Sequence, residues 1–134
     1  MIEHISKLSG AQQNALENIG VVLLYLHGSV ASGKARSDSD VDVAVLFAQT
    51  PRDTVQATTN IVEALRGYES PREMDVAILN DASPLLKQSV AAHGVLLFAR
   101  SEQDDLEFQI RTMHEYEASR RIVRIGQEAI LARI

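Results

Sequence analysis

The 134-residue sequence has no cysteine, no tryptophan and only three prolines. Without cysteine there is no disulfide, no thiolate nucleophile and no zinc site built on sulfur. Aromatics make up 4% of the chain, too few for a surface on which bases stack. No apolar run approaches the roughly 20 residues that a membrane span needs, so no membrane contact is expected. Basic residues are outnumbered, with a formal net charge of −5. That argues against broad binding to nucleic acid, which depends on basic surface. The first residues, MIEHISKLSG, lack the basic-then-apolar pattern of a secretory signal. The expected setting is the cytoplasm.

What is present is ordinary for a globular protein: 46% of residues are hydrophobic and 23% charged. The length suits a single domain over 1–134, with a core but without room for two comfortable domains. No internal repeat or low-complexity linker breaks it. Residues 2–18 carry spaced apolar positions (Ile2, Ile5, Leu8, Ala15, Leu16), which suits one or two short helices. VVLLYL (21–26) is continuously apolar and reads as a strand covered on both faces. VDVAVLF (41–47) reads as a second strand. Thr50 and Pro51 resemble an N-cap and first helical residue, with Asp53 as the capping acid. Val55, Ile61, Val62 and Leu65 then fall roughly on one face, and Gly67 can end that helix. MDVAIL (74–79) reads as a third buried strand. Ser83-Pro84 opens a helix to about His93, and Gly94 closes it. VLLFA (95–99) is a fourth strand. Ser101 and Asp104 resemble a capping box before a charged helical segment over about 101–134. Its stripe of Leu106, Ile110, Met113 and Tyr116 reads as core, with an interface as the alternative. The order predicts an α/β (α+β) domain whose mixed sheet is flanked by helices.

Chemistry concentrates in GSVASGKARSDSDVDVAVL, residues 28–46. On a strand, residues two apart share a face, so Asp40 and Asp42 stand side by side. Unpaired, they raise each other's pKa. A hard divalent cation removes that repulsion, and all-oxygen ligands suit Mg²⁺ or Mn²⁺. Mg²⁺ typically takes one or two carboxylates and completes its shell with water and substrate phosphates. Gly28 and Ser29 directly follow a buried strand. There a close backbone approach, a hydroxyl and amide N–H groups can hold phosphate oxygens, especially with a helix starting near Val30. Gly33 adds flexibility, and Lys34 and Arg36 add positive charge. Asp75, the acid of the third apolar strand, would complete the site if that strand lies beside 41–47. It would then ligate metal and act as general base on an attacking hydroxyl.

Each of these readings has a plainer counterpart. A Gly-Ser pair usually marks a turn, and a lone Asp-x-Asp is often a solvated loop. Asp38 is expected to be a loop acid or helix cap outside the site. Asp75 as an exposed acid at a strand start is the simpler alternative. Lys34 and Arg36 on a solvated loop need contact nothing. His27 is expected to pack under the loop, and His93 and His114 stand alone.

Gly28-Ser29, ten further residues, and then Asp40-Val41-Asp42 resemble the signature of the polymerase-β-like nucleotidyltransferases. The compact size and wording are similar to the minimal nucleotidyltransferases, the antitoxins paired with HEPN-domain ribonuclease toxins. That resemblance implies a polymerase-β-like nucleotidyltransferase fold and Mg²⁺-assisted transfer of AMP from ATP onto a tyrosine hydroxyl of the toxin, which silences it. It implies catalytic and metal roles for Asp40, Asp42 and Asp75. The nucleotide-binding set would be Gly28, Ser29, Gly33, Lys34, Arg36 and Ser39. The family often has arginine where Ser32 stands, and Lys34 or Arg36 would supply its charge. Two other functions remain open: an antitoxin that acts by occlusion alone, and transfer to a small molecule such as an aminoglycoside.

Overall fold

The computed structural model describes residues 5–133. The elements run α1 (Gly10–Asn18), β1 (Val21–His27), α2 (Gly28–Ser32), β2 (Val41–Phe47), α3 (Thr54–Ala64), β3 (Met74–Ile78), α4 (Pro84–His93), β4 (Val95–Ala99) and α5 (Glu102–Leu131). The strands form one sheet in the order β3-β2-β1-β4. β1 is antiparallel to β2 and β4, while β2 and β3 are parallel through the α3 crossover. The expected mixed sheet flanked by helices is therefore present.

β1 is central, which explains its unbroken apolarity. Leu24 and Leu26 face the layer of α1 and α3 with Leu16, Ile61 and Leu65. Leu23 and Tyr25 face the opposite layer with Val90 and Phe108. A register irregularity between Val21 and Leu23 puts the adjacent Val22 and Leu23 on one side. Each side chain so buried contributes about 2 kcal/mol by removal from water, so this strand anchors both layers. Tyr25 adds a polar tie: its hydroxyl donates to Asp105 and accepts from Gln109 Nε2 at 3.2 Å. Burial, followed by the Asp105 hydrogen bond, raises the pKa of that phenol.

The helix starts follow their caps. Ser9 and Gln12 form a reciprocal capping box, so α1 begins there and not earlier. Leu8 is buried and Ile5 packs on the core from the extended lead-in. Residues 2–4 of the expected helical segment lie outside the described residues. α3 corrects another expectation. Its N-cap is Asp53, whose carboxylate accepts the Gln56 N–H at 3.0 Å, and not Thr50. The cap chemistry of Asp53 wins because its side chain reaches an orphan amide of the first turn. The core face of α3 is Ala57 and Ile61, with Leu65 buried at its C-cap, whereas Val55 is 75% exposed. Gly67 sits in the turn beyond that cap, not at the helix end.

The stripe Leu106, Ile110 and Met113 is likewise exposed rather than core. α5 instead buries Phe108 and Thr112, with Phe108 against Tyr25 at a ring separation of 5.6 Å. The hydrogen bonds of Tyr25, donated to Asp105 and accepted from Gln109, fix which side of α5 turns inward. Beyond Thr112 no residue of α5 is buried. Among the described residues, no helix is long and apolar enough to cross a membrane.

Candidate active site at the strand ends

The register of the sheet assembles the site. His27 at the end of β1 pairs with Asp42 of β2, and Asp42 pairs with Asp75 of β3. Directly paired residues project to the same face, so these side chains form a row across adjacent strands. Asp40 precedes Asp42 by two positions, just before β2 starts. The Asp42 carboxyl is held above its usual range, with burial the largest cause. His27 works against that shift, while the Asp75 and Asp40 carboxylates add to it. Asp42 is half-buried, whereas Asp40 and Asp75 are exposed. β3 is an edge strand, so Asp75 is an accessible acid and not the buried one its apolar neighbours suggested.

Gly28 closes the gap between the two halves of the site. It has φ +75, a conformation that disfavours side chains. A Cβ there would also lie 2.3 Å from Asp42 Oδ2. Only glycine lets the turn rest on the Asp42 carboxylate. From Gly28 the chain makes the short α2, whose N-cap, His27, forms no side-chain capping bond. As at any helix start, its first amides have no intrahelical partner. Gly33, at φ +75, ends the turn in the left-handed conformation. Lys34 N–H returns to the Ser29 carbonyl at 2.9 Å. Ser32 Oγ donates to the same carbonyl at 3.1 Å, so Ser32 folds back on the turn.

The sheet thus gathers Gly28, Ser29, Asp40, Asp42 and Asp75. Lys34, Arg36 and Asp38 are exposed on the following loop. Ser39 is half-buried and its hydroxyl accepts the Arg36 N–H at 2.8 Å, closing a local turn. His27, expected to pack under the loop, instead faces Asp42, a position visible only once the β1–β2 register is known. One residue here escaped the sequence reading. Arg72 donates to the Ser39 carbonyl at 2.9 Å from 33 residues away, and no local pattern marks it.

The donor set fits a hard divalent cation. Its ligand atoms are all carboxylate oxygens, mutually repulsive when ionised, and Asp40 and Asp75 are exposed. Among the described residues, no three His, Cys, Asp or Glu side chains form a ready-made metal cluster. A Mg²⁺ site of one or two carboxylates, completed by phosphate oxygens, needs none.

A family model described as "Polymerase beta, Nucleotidyltransferase" matches residues 11–103, stopping as α5 begins. A curated relative, the protein adenylyltransferase MntA of Shewanella oneidensis, is 33% identical over 95 residues. The match covers 71% of this chain and 66% of that protein, so the chain spans just under two thirds of the relative's length. A chain from the crystal structure of a toxin–antitoxin complex with AMP-PNP superposes with a TM-score of 0.69 at 26% identity. That superposition covers 88% of this chain and 94% of the other. A chain from the structure of the tri-AMPylated Shewanella oneidensis HEPN toxin in complex with MNT antitoxin gives a TM-score of 0.61 at 23% identity, covering 90% and 96%. This last likeness bears on the fold alone.

Proposed function

The chain belongs to the polymerase beta nucleotidyltransferase family, and from that premise we propose that it is an antitoxin-type protein adenylyltransferase. It would transfer AMP from ATP to a tyrosine hydroxyl of a cognate HEPN-type toxin and so neutralise it. The observation that carries the reading is the contact between the Gly28 turn and Asp42, which supports reading that turn as a phosphate cradle beside the acidic row. The relative's name, an adenylyltransferase, and the AMP-PNP in a neighbouring toxin–antitoxin structure support the choice of reaction and nucleotide.

In this mechanism the amide N–H groups and hydroxyl at Gly28 and Ser29 hold the β- and γ-phosphate oxygens. Gly33 shapes the end of that cradle, and Lys34 and Arg36 offset triphosphate charge from the loop, with Ser39 beside them. Asp40, Asp42 and Asp75 are the residues that would hold Mg²⁺, or Mn²⁺ in its place. When bound, the ion supplies charge neutralisation along the triphosphate. Asp75, the accessible acid, accepts the proton of the incoming hydroxyl as its oxygen bonds the α-phosphorus and pyrophosphate leaves. A cytoplasmic setting, where ATP is abundant, suits this chemistry.

The test is to incubate the purified chain with α-labelled ATP, Mg²⁺ and host lysate, with Asp40→Ala in parallel. A labelled protein seen only with wild type, mapping to a tyrosine, is the expected result. ATP binding without label would favour neutralisation by occlusion, and label on a small molecule would redirect the acceptor.

A further inference from the structure

Asp40 sits outside the sheet, yet both peptide groups that flank it are held. The group before it ends in the Ser39 carbonyl, which accepts from Arg72 Nη1 at 2.9 Å. The group after it carries the Val41 N–H, which donates to the Glu73 carbonyl at 2.8 Å. Consecutive residues of the α3–β3 loop thus grip the backbone on either side of Asp40. The same Nη1 also donates to the Arg36 carbonyl. Arg36 and Ser39 are the two ends of one turn: Ser39 N–H donates to Arg36 O at 3.1 Å, and Ser39 Oγ accepts from Arg36 N–H at 2.8 Å. One guanidinium nitrogen therefore fixes both ends of the loop's last turn. Arg72 is half-buried, and three residues later the chain reaches Asp75.

We propose that Arg72 is a positioning residue that fixes the Asp40 carboxylate relative to Asp42 and Asp75. The proposal deepens the functional reading and rests on it. With the flanking peptide planes set, the direction of the Asp40 Cα–Cβ bond is set too. Without Arg72, the Arg36–Ser39 turn keeps only its local hydrogen bonds, and Asp40 is held on one side alone, by the Val41–Glu73 backbone bond. Lysine keeps the charge but not the reach, because its stem is about one bond shorter and it lacks the planar fork.

The test uses the full chain and Mg²⁺ with AMP-PNP, measured by calorimetry, alongside hydrogen exchange and thermal melting without ligand. Partners that orient metal ligands typically cost about tenfold or more in metal affinity when removed. Arg72→Ala is expected to weaken Mg²⁺-dependent AMP-PNP binding by about that factor. Faster exchange at the Ser39 amide should accompany it, with the rest of the sheet unchanged. Arg72→Lys is expected to fall clearly short of wild type. The clamp is overturned by wild-type-like binding in Arg72→Ala, or by a loss that tracks global unfolding. It is also overturned if Arg72→Lys restores full binding, since charge alone would then suffice. Failure of wild type itself to bind Mg²⁺ with AMP-PNP would instead overturn the functional reading, and the clamp's role with it.

Discussion

Asp42 works against the stability of the ligand-free chain. Burial holds its carboxyl above the ordinary aspartate value of 3.8, with Asp75 and Asp40 adding to the shift and His27 opposing it. The folded state therefore keeps its proton to higher pH than the unfolded state does. Folding stability from this group falls as pH rises from 3.8 through the raised value, and the cost is complete above it. Asp42→Asn should melt higher than wild type at pH 7, and the difference should shrink as pH is lowered to about 4. The same variant should lose AMP transfer and any Mg²⁺-induced rise in melting temperature, because the cation stabilises only the form that binds it. Thermal melts with and without Mg²⁺ check both halves. A charge that destabilises the resting protein is understandable if ligand later offsets it.

Among the elements, α5 divides into a packed and an unpacked half. Its first turns are tied by the Ser101 cap, the Arg100–Asp104 pair at 2.9 Å and Phe108. Its last contacts with the body include the Lys87–Glu115 pair at 3.0 Å. Beyond it, Ile122, Val123, Ile125, Ile130 and Leu131 are all more than half exposed. A helix length with so little burial draws little stability from packing. Deleting residues 119–134 should leave the melting temperature within roughly 3 °C of the full chain. A fall well beyond that would show that the tail supports the fold. The apolar pattern of α5 was legible in the sequence, but its inward face was not. Helical periodicity marks Leu106, Ile110 and Met113 as a stripe, while Tyr25 and its partners decide that Phe108 and Thr112 turn inward. The start of α3 was misplaced for a related reason: Thr50-Pro51 and Asp53 both carry cap chemistry, and only the backbone path chooses between them.

At the scale of the whole molecule, stability is graded from the centre of the sheet outward. β1 has strand neighbours on both sides and helices on both faces, whereas β3 and β4 are edges. Hydrogen exchange should be slowest in Leu23–Leu26 and measurably faster along β3, by the usual relation between burial and opening free energy. Equal protection across the sheet would contradict this gradient. The gradient suits the proposed chemistry: Asp42 sits on an inner strand, while Asp75 sits at an edge where a large acceptor can approach.

The sequence by itself determined the strands, most of the helices and the identities of the acids, because apolar runs, caps and the Gly28–Asp42 motif are local properties of the chain. It also indicated that Asp40 and Asp42 lie close together, although strand alternation does not extend to Asp40, which precedes β2. Tertiary structure decided the rest. The parallel pairing of β2 with β3 placed Asp75 beside Asp42, and the antiparallel pairing of β1 with β2 placed His27 on its other side. The reach of Arg72 across 33 residues to the Ser39 carbonyl followed from the return of the α3–β3 loop. The physical reason is common to all three: register and loop return depend on burying both faces of β1 at once, a condition no single segment can express.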